Sequence, residues 1–287
     1  MRIQPSPSAA SPRSATPVCT YLLRRFKQMS IVLSACLSPV AMAQSPEDHH
    51  EQDKARWGIG FGVLSEQKPI VDIDRTDIAI PLIYYENQYL RVFGPIVDIK
   101  LPTLTLGESQ EFNISITAEY DFGGYDDDDI EETPILHGMT ERKGGFWAGA
   151  KFEWKNSLVD FNMTWLDEVS GDSNGQQFTI GLEKNLMIGH HLMLSPRISA
   201  TWQNDDYIDY YYGVQAQEVL VGRDAFAGEA GTSIEYGVRS TLLLDMQMKH
   251  SIFLDLGITY LPDEITNSPL IDKDSTASAM LVYMYSF

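Results

Sequence analysis

Six carboxylates crowd into one short stretch, Asp126, Asp127, Asp128, Asp129, Glu131 and Glu132, the densest chemical group in this 287-residue chain. Hard cations take oxygen ligands, so Asp126 to Asp129 form a candidate cation site, or a bridge through cations to lipopolysaccharide phosphates. The run lacks the alternate-residue spacing of a calcium loop, and a solvated acidic loop is the plainer reading. Catalysis would need a nucleophile beside a base, or an acid pair. Of His49, His50, His137, His190, His191 and His250, only His137 stands near the carboxylates, and no reactive pattern surrounds it. No catalytic residue and no cofactor site is assigned, and the chain reads as a non-enzyme.

The charge balance narrows the partners. With 40 acidic against 21 basic side chains and a net charge of -19, the chain is a poor ligand for nucleic acid, whose affinity comes from counterion release by Lys and Arg. Two cysteines, Cys19 and Cys36, cannot build a disulfide scaffold. Both lie in a segment that reads as an export leader: Arg24, Arg25 and Lys27 precede an apolar run from Met29 to Val40, which ends in Ala41-Met42-Ala43. Residues 1–43 are expected to be cleaved after Ala43, leaving 44–287 as one domain. Lipidation at Cys36 after Leu33-Ser34-Ala35 is a competing pattern with too short an apolar run before it. The leader holds five of the 21 basic residues and no acidic one, so the exported part keeps 16 against 40, a net charge of -24.

The elements that carry these residues have period two. From Phe112 to Phe122, apolar Phe112, Ile114, Ile116, Ala118, Tyr120 and Phe122 alternate with polar residues, and similar runs recur around 159–165, 178–183, 192–203 and 252–260. No apolar stretch of helical membrane length follows the leader. Alternating strands suit a soluble sandwich or a membrane barrel. Runs of 10 to 13 residues exceed the roughly 5 to 6 of average strands and match the about 9 to 11 of tilted membrane strands, which favours the barrel. Aromatics at the ends of the apolar faces, such as Trp165, Trp202 and Tyr260, fit interfacial belts. Tight turns near 155–157 and 188–190 alternate with longer loops at 123–143, 168–176 and 204–232, as outer-membrane barrels require.

The expected fold is therefore all-β, a transmembrane antiparallel up-and-down barrel. Its strands are placed at 57–64, 77–86, 89–100, 110–122, 144–155, 157–168, 176–187, 190–203, 208–217, 232–246, 250–261 and 278–287. That makes twelve, or ten without the first and ninth. Glu119, Asp121, Asp160, Glu183, Arg197, Glu235, Arg239 and Asp255 would face the lumen, either as a cation-preferring pore or pairing with one another in a filled barrel. The chain ends on Tyr283, Tyr285 and Phe287 of one face, similar to the signal by which barrels are handed to the barrel assembly machinery.

Specific residues carry a family resemblance. Phe122-Gly123-Gly124-Tyr125 followed by Asp126 to Asp129, then His137-Gly138-Met139-Thr140-Glu141-Arg142, resembles a loop of the MipA/OmpV family. Ser195-Pro196-Arg197, Asp209-Tyr210-Tyr211-Tyr212-Gly213-Val214 and Asn267-Ser268-Pro269-Leu270 resemble its later elements, in the expected order. The aromatic, Gly-rich start usual in the family is kept only from Trp57 to Val63. The resemblance implies a barrel in the outer membrane, in contact with its lipid and lipopolysaccharide. It also implies a scaffold that joins a murein transglycosylase to a peptidoglycan synthase, with no catalytic residues. A small diffusion channel is the alternative.

Overall fold

The computed structural model describes residues 55–107 and 110–287; the leader and its cleavage site at Ala43 lie outside the described residues. Period-two alternation becomes a strand ladder: β1 (Arg56–Gln67), β2 (Arg75–Glu86), β3 (Leu90–Phe93), β4 (Ile96–Lys100), β5 (Leu104–Leu106), β6 (Gln110–Tyr120), β7 (Phe146–Lys155), β8 (Asp160–Glu168), β9 (Gln176–Glu183), β10 (Leu186–Ile188), β11 (Leu192–Gln203), β12 (Gly231–Leu243), β13 (His250–Tyr260) and β14 (Ser275–Ser286). β5 and β10 extend β4 and β9 along the same neighbours, β6 and β11, so the ring has twelve positions. All pairings between strands are antiparallel, and β14 closes on β1 from Gly58↔Ser286 to Glu66↔Ser278. Closure leaves no free edge along that seam.

Side-chain burial follows the pleat. On β1, Ile59, Phe61 and Val63 are exposed while Gly58, Gly62 and Leu64 are buried. The exposed apolar faces form the lipid-facing band, since a barrel in a membrane turns its apolar side outward. Two aromatic belts border it. At the end holding both described termini, Trp57 lies 4.3 Å from Tyr85 and Phe112 stacks on Trp154 at 5.8 Å. At the other end Tyr120 meets Phe146 at 4.8 Å, Trp165 stacks on Trp202 at 6.3 Å and Tyr236 meets Tyr260 at 6.1 Å. Amphipathic rings favour these interfaces.

Two expectations fail in compensating ways. The strand placed at 208–217 is instead a helix, α2 (Asp205–Tyr212); α1 (Asp127–Glu132) precedes it in the acidic loop, and a short α3 (Asp263–Thr266) follows. Asn204 caps α2 by accepting from the Tyr207 N–H at 3.0 Å, and Tyr207, Ile208 and Tyr211 share a buried face at helical spacing. Meanwhile the single strand expected at 89–100 is split by a turn at Gly94-Pro95, with Gly94 at φ +55, into β3 and β4. Glycine accepts that left-handed backbone without steric cost, and the fixed φ of proline helps the chain reverse. One strand is lost and one gained, so the count of twelve holds.

Candidate functional site

The inward face of β9, β11, β12 and β13 carries a charge network. Arg197 on β11 donates from Nη2 to Glu235 Oε1 at 2.6 Å and pairs with Asp255 Oδ1 at 2.8 Å. Arg239 donates from Nε to Asp255 Oδ2 at 2.8 Å and has Glu183 Oε2 at 3.8 Å. Asp255 thus joins two guanidinium groups. Register explains part of this, because Arg239 and Asp255 are directly paired across β12 and β13. Arg197 must cross a whole strand to reach Asp255, and it does so over Gly237, where an added Cβ would lie 2.5 Å from its Cζ. Gly237 pairs with Gly257, so two glycines side by side make the trough in which the guanidinium lies.

Beside this network Asn185 donates to Asp160 at 2.9 Å and accepts from Ser195 Oγ at 2.5 Å. Across the lumen, Arg91 pairs with Asp98, Lys100 with Glu86, and Lys151 with Glu153 at 3.2 Å. Of the eight lumen residues expected from the sequence, Glu183, Arg197, Glu235, Arg239 and Asp255 come together and Asp160 lies beside them, while Glu119 faces inward across the lumen near Lys151 and Asp98, with Asp121 buried just past the end of β6. The glycine trough was missed. Its only sequence signal is that Gly237 and Gly257 occupy inward positions of alternating runs.

The adjoining sector of the lumen wall, from β13 through β14 and β1 to β2, is apolar. Leu82 and Tyr84 on β2, Phe253 on β13, and Val282 and Met284 on β14 pack as one buried cluster; Leu64 and Ile78 form a second, contacted by Ile80, Met280 and Phe122. Phe122, expected in the outward aromatic row, keeps an edge contact with outward Tyr120 at 4.7 Å and also packs against this inward group.

The loops fold over the mouth as a dome. Tyr125, Leu136, Tyr207, Ile208, Ile265 and Leu270 are its buried centre. Arg142 and Glu218 clip the 121–145 loop to the 204–230 loop: Arg142 Nη2 donates to both Glu218 oxygens at 3.1 and 3.0 Å, and Arg142 Nε donates to the Tyr210 carbonyl at 2.7 Å. Glu218 also accepts the Thr140 and Gln215 amides at 2.9 and 3.0 Å. Burial pushes the Glu218 carboxyl up, but these amides and Arg142 outweigh it and hold the pKa below the ordinary value. Arg223 donates to the carbonyls of Glu218, Ile135 and His137. Ser268 Oγ donates to the Tyr212 carbonyl at 2.6 Å, and a bridge between Ile70 and Ile271 ties in the remaining loops. Burial raises Tyr125 to about 12 and drives Tyr207 far above its usual range, so both rings stay neutral inside the dome.

The acidic run lies on the outer side of this dome. Asp126 caps α1 by accepting the Asp129 amide at 2.9 Å, while Asp129 accepts the Asp126 amide at 3.1 Å. That reciprocal capping box turns two of the four carboxylates toward backbone donors. Burial raises the Asp129 pKa. No group of three or more His, Cys, Asp or Glu among the described residues is arranged to hold a metal. The His137 ring lies 3.2 Å from the Glu131 carbonyl. At the far end, Phe287 donates its amide to the Trp57 carbonyl at 2.9 Å, and its ring lies 5.0 Å from Tyr285.

A barrel of twelve strands, bordered by aromatic belts and headed by this dome, is the frame on which the family comparison falls. The family model described as MltA-interacting protein MipA matches residues 58–287. The chain belongs to the MipA family. A relative in Escherichia coli K12 named MltA-interacting protein is 25% identical over 258 residues, covering 86% of this chain and 96% of its own. YiaT of the same organism, named as an outer membrane protein, is 24% identical over 230 residues, covering 76% and 85%. Among solved structures, the COG4313 outer membrane channel of Pseudomonas putida F1 aligns at TM-score 0.43 and 10% identity, over 84% of this chain and all of that one. OmpT of Vibrio cholerae aligns at TM-score 0.40 and 8% identity, over 82% of this chain and 97% of that one. This MipA-family chain is an outer-membrane β-barrel. Its relatives carry names of interacting or outer membrane proteins rather than of enzymes.

Proposed function

We propose that this MipA-family barrel is a non-enzymatic scaffold of the cell envelope that works through its surfaces rather than through an aqueous pore. The observation that carries the reading is the lumen, crossed by Arg197, Glu235, Asp255, Arg239 and Glu183 in mutual contact and capped by a packed dome. Between network and dome there remains a cavity of about 120 Å³, lined by Gln203, Tyr207, Tyr212, Glu235, Leu64 and Met280.

The name of the E. coli relative supports a murein transglycosylase as one partner, and a peptidoglycan synthase is proposed as the second. Both would be met by the short turns at the end that holds Phe287, the periplasmic end of such barrels. We further assign residues 1–43 as the leader, with Gln44 as the mature start, and Tyr283, Tyr285 and Phe287 as the signal read by the barrel assembly machinery. The outer leaflet would supply lipopolysaccharide contacts.

Two measurements test the scaffold. Planar-bilayer recordings of purified, refolded protein are expected to give no reproducible unitary conductance; a stable conductance would favour the diffusion-channel alternative. Purified transglycosylase is expected to be retained on immobilised barrel, and its failure to bind would remove the scaffold role for this chain. N-terminal sequencing of protein extracted from outer membranes should begin at Gln44.

A further inference from the structure

The wall between β2 and β3 is incomplete. β2 is paired to β1 along all twelve residues, but its ladder to β3 covers only Tyr84, Tyr85 and Glu86. The β3–β4 hairpin ends at Gly94-Pro95, whose tip is anchored by the Gly94 amide donating to the Ile83 carbonyl at 3.0 Å. Above that bond, the side of β2 from Arg75 to Leu82 that faces away from β1 has no strand ladder among the described residues. The next wall beyond the gap is the upper end of β6, where Glu119 pairs with Ile96.

Part of this open edge lies at membrane depth. Outward Asp77 and Arg75 are polar, but outward Ala79, Pro81 and Ile83 are apolar and continue the lipid-facing band of Phe61 and Val63 on β1. Unpaired backbone facing hydrocarbon is strongly disfavoured, so spanning barrels close their sheets. Pro81 lessens the problem by lacking an N–H, a residue type suited to an edge. Behind the edge lies the apolar half of the lumen, Ile78, Ile80 and Leu82, with the Phe122 ring packed across Leu64 and Ile78. Leu64 and Met280 of this group also line the 120 Å³ cavity. The mouth above is closed by the dome and the opposite wall is ion-paired.

We propose that this gap is a lateral portal through which the acyl chain of a membrane amphiphile enters the apolar half of the lumen. The chain passes between Ile80, Leu82 and the displaced Phe122 ring and ends against Leu64 and Met280. The occupant follows from continuity. The portal opens from lipid on one side and onto apolar side chains on the other, whereas a polar solute would have to cross hydrocarbon to reach it. This goes beyond the scaffold reading and does not depend on it, because conductance plays no part in its readout.

The test uses the full mature barrel in phosphatidylcholine nanodiscs with palmitic acid carrying a diazirine in its chain, followed by irradiation and residue-level mass spectrometry. Labelling of inward Ile80, Leu82 and Met280 is expected, reduced at least fivefold by excess unlabelled palmitic acid. Phe122→Ala is expected to raise that saturable labelling severalfold and Leu82→Gln to reduce it; either variant suffices if the other fails to fold. Labelling confined to outward Pro81, Ile83 and Leu281 would overturn the portal. So would inward labelling that excess palmitic acid does not compete away.

Discussion

At the scale of single residues, Arg197 joins two carboxylates of the lumen network. It is the cation that neutralises Glu235 among the described residues, and it shares Asp255 with Arg239. Removing one member of a buried ion pair leaves an uncompensated charge, which typically costs about 3–5 kcal/mol. Arg197→Met should therefore lower the unfolding free energy of the refolded barrel, read from urea denaturation, by an amount of that order. Arg197→Met with Glu235→Gln should recover part of the loss, because the stranded carboxylate is gone; equal losses in the single and double variants would argue against the pair. Gly237→Ala probes the same group from the backbone side. Its Cβ would stand 2.5 Å from Arg197 Cζ, and since the obstacle is the end of a flexible side chain, a loss of about 1 kcal/mol is expected by the same denaturant measurement. The eight charges were readable as inward from period-two alternation alone. Their partners were not, because pairing depends on strand register, and register is fixed by turns that the alternation does not encode.

The elements divide by how local their causes are. Alternating strands were legible because each strand of a barrel must show apolar residues to lipid and polar ones to the lumen at every second position. The segment around Tyr210 misled for a physical reason. Three consecutive tyrosines favour strands by composition, but the Asn204 cap, the acidic first turn and a face formed by Tyr207, Ile208 and Tyr211 select a helix once a dome exists to bury it. The dome itself was invisible, since Arg142 and Glu218 lie 76 residues apart and nothing in the sequence pairs them.

Its clip should respond to acid. The Glu218 pKa is lowered in the folded dome relative to the ordinary 4.5 of an unfolded carboxyl, so its contribution is fully present above about pH 4.5 and is lost as pH falls through the folded value. Protection of the 121–145 and 204–230 loops against hydrogen exchange, corrected for the slowing of intrinsic exchange in acid, should fall between pH 5 and pH 3, while the strands stay protected. Glu218→Gln should show the faster loop exchange already at neutral pH, with its acid dependence flattened. Unchanged loop protection in that variant would mean that the apolar centre of the dome, not the clip, holds it shut.

For the whole molecule, the question is which features serve the folded barrel and which serve its delivery. Closure of β14 on β1 runs through nine paired positions, and Phe287 adds one further backbone hydrogen bond to Trp57 beyond them. Its side chain is 71% exposed, so it buries little apolar surface against the protein. A terminal residue with so small a stake in the fold should be removable at a cost near the roughly 1 kcal/mol of one net hydrogen bond. If Phe287 is instead read during assembly, its deletion should separate two measurements that a structural role would keep together. Refolded in detergent, the truncated chain should still migrate in the heat-modifiable way of a closed barrel, with a thermal midpoint within a few degrees of the intact chain. In cells, the same truncation should reduce the amount recovered from the outer membrane about tenfold, and replacing Phe287 by Trp should restore most of it, since an exposed aromatic is kept. If refolding in detergent and accumulation in cells fall together, Phe287 is a structural lock on the β1–β14 seam; if neither falls, Tyr283 and Tyr285 are sufficient without it.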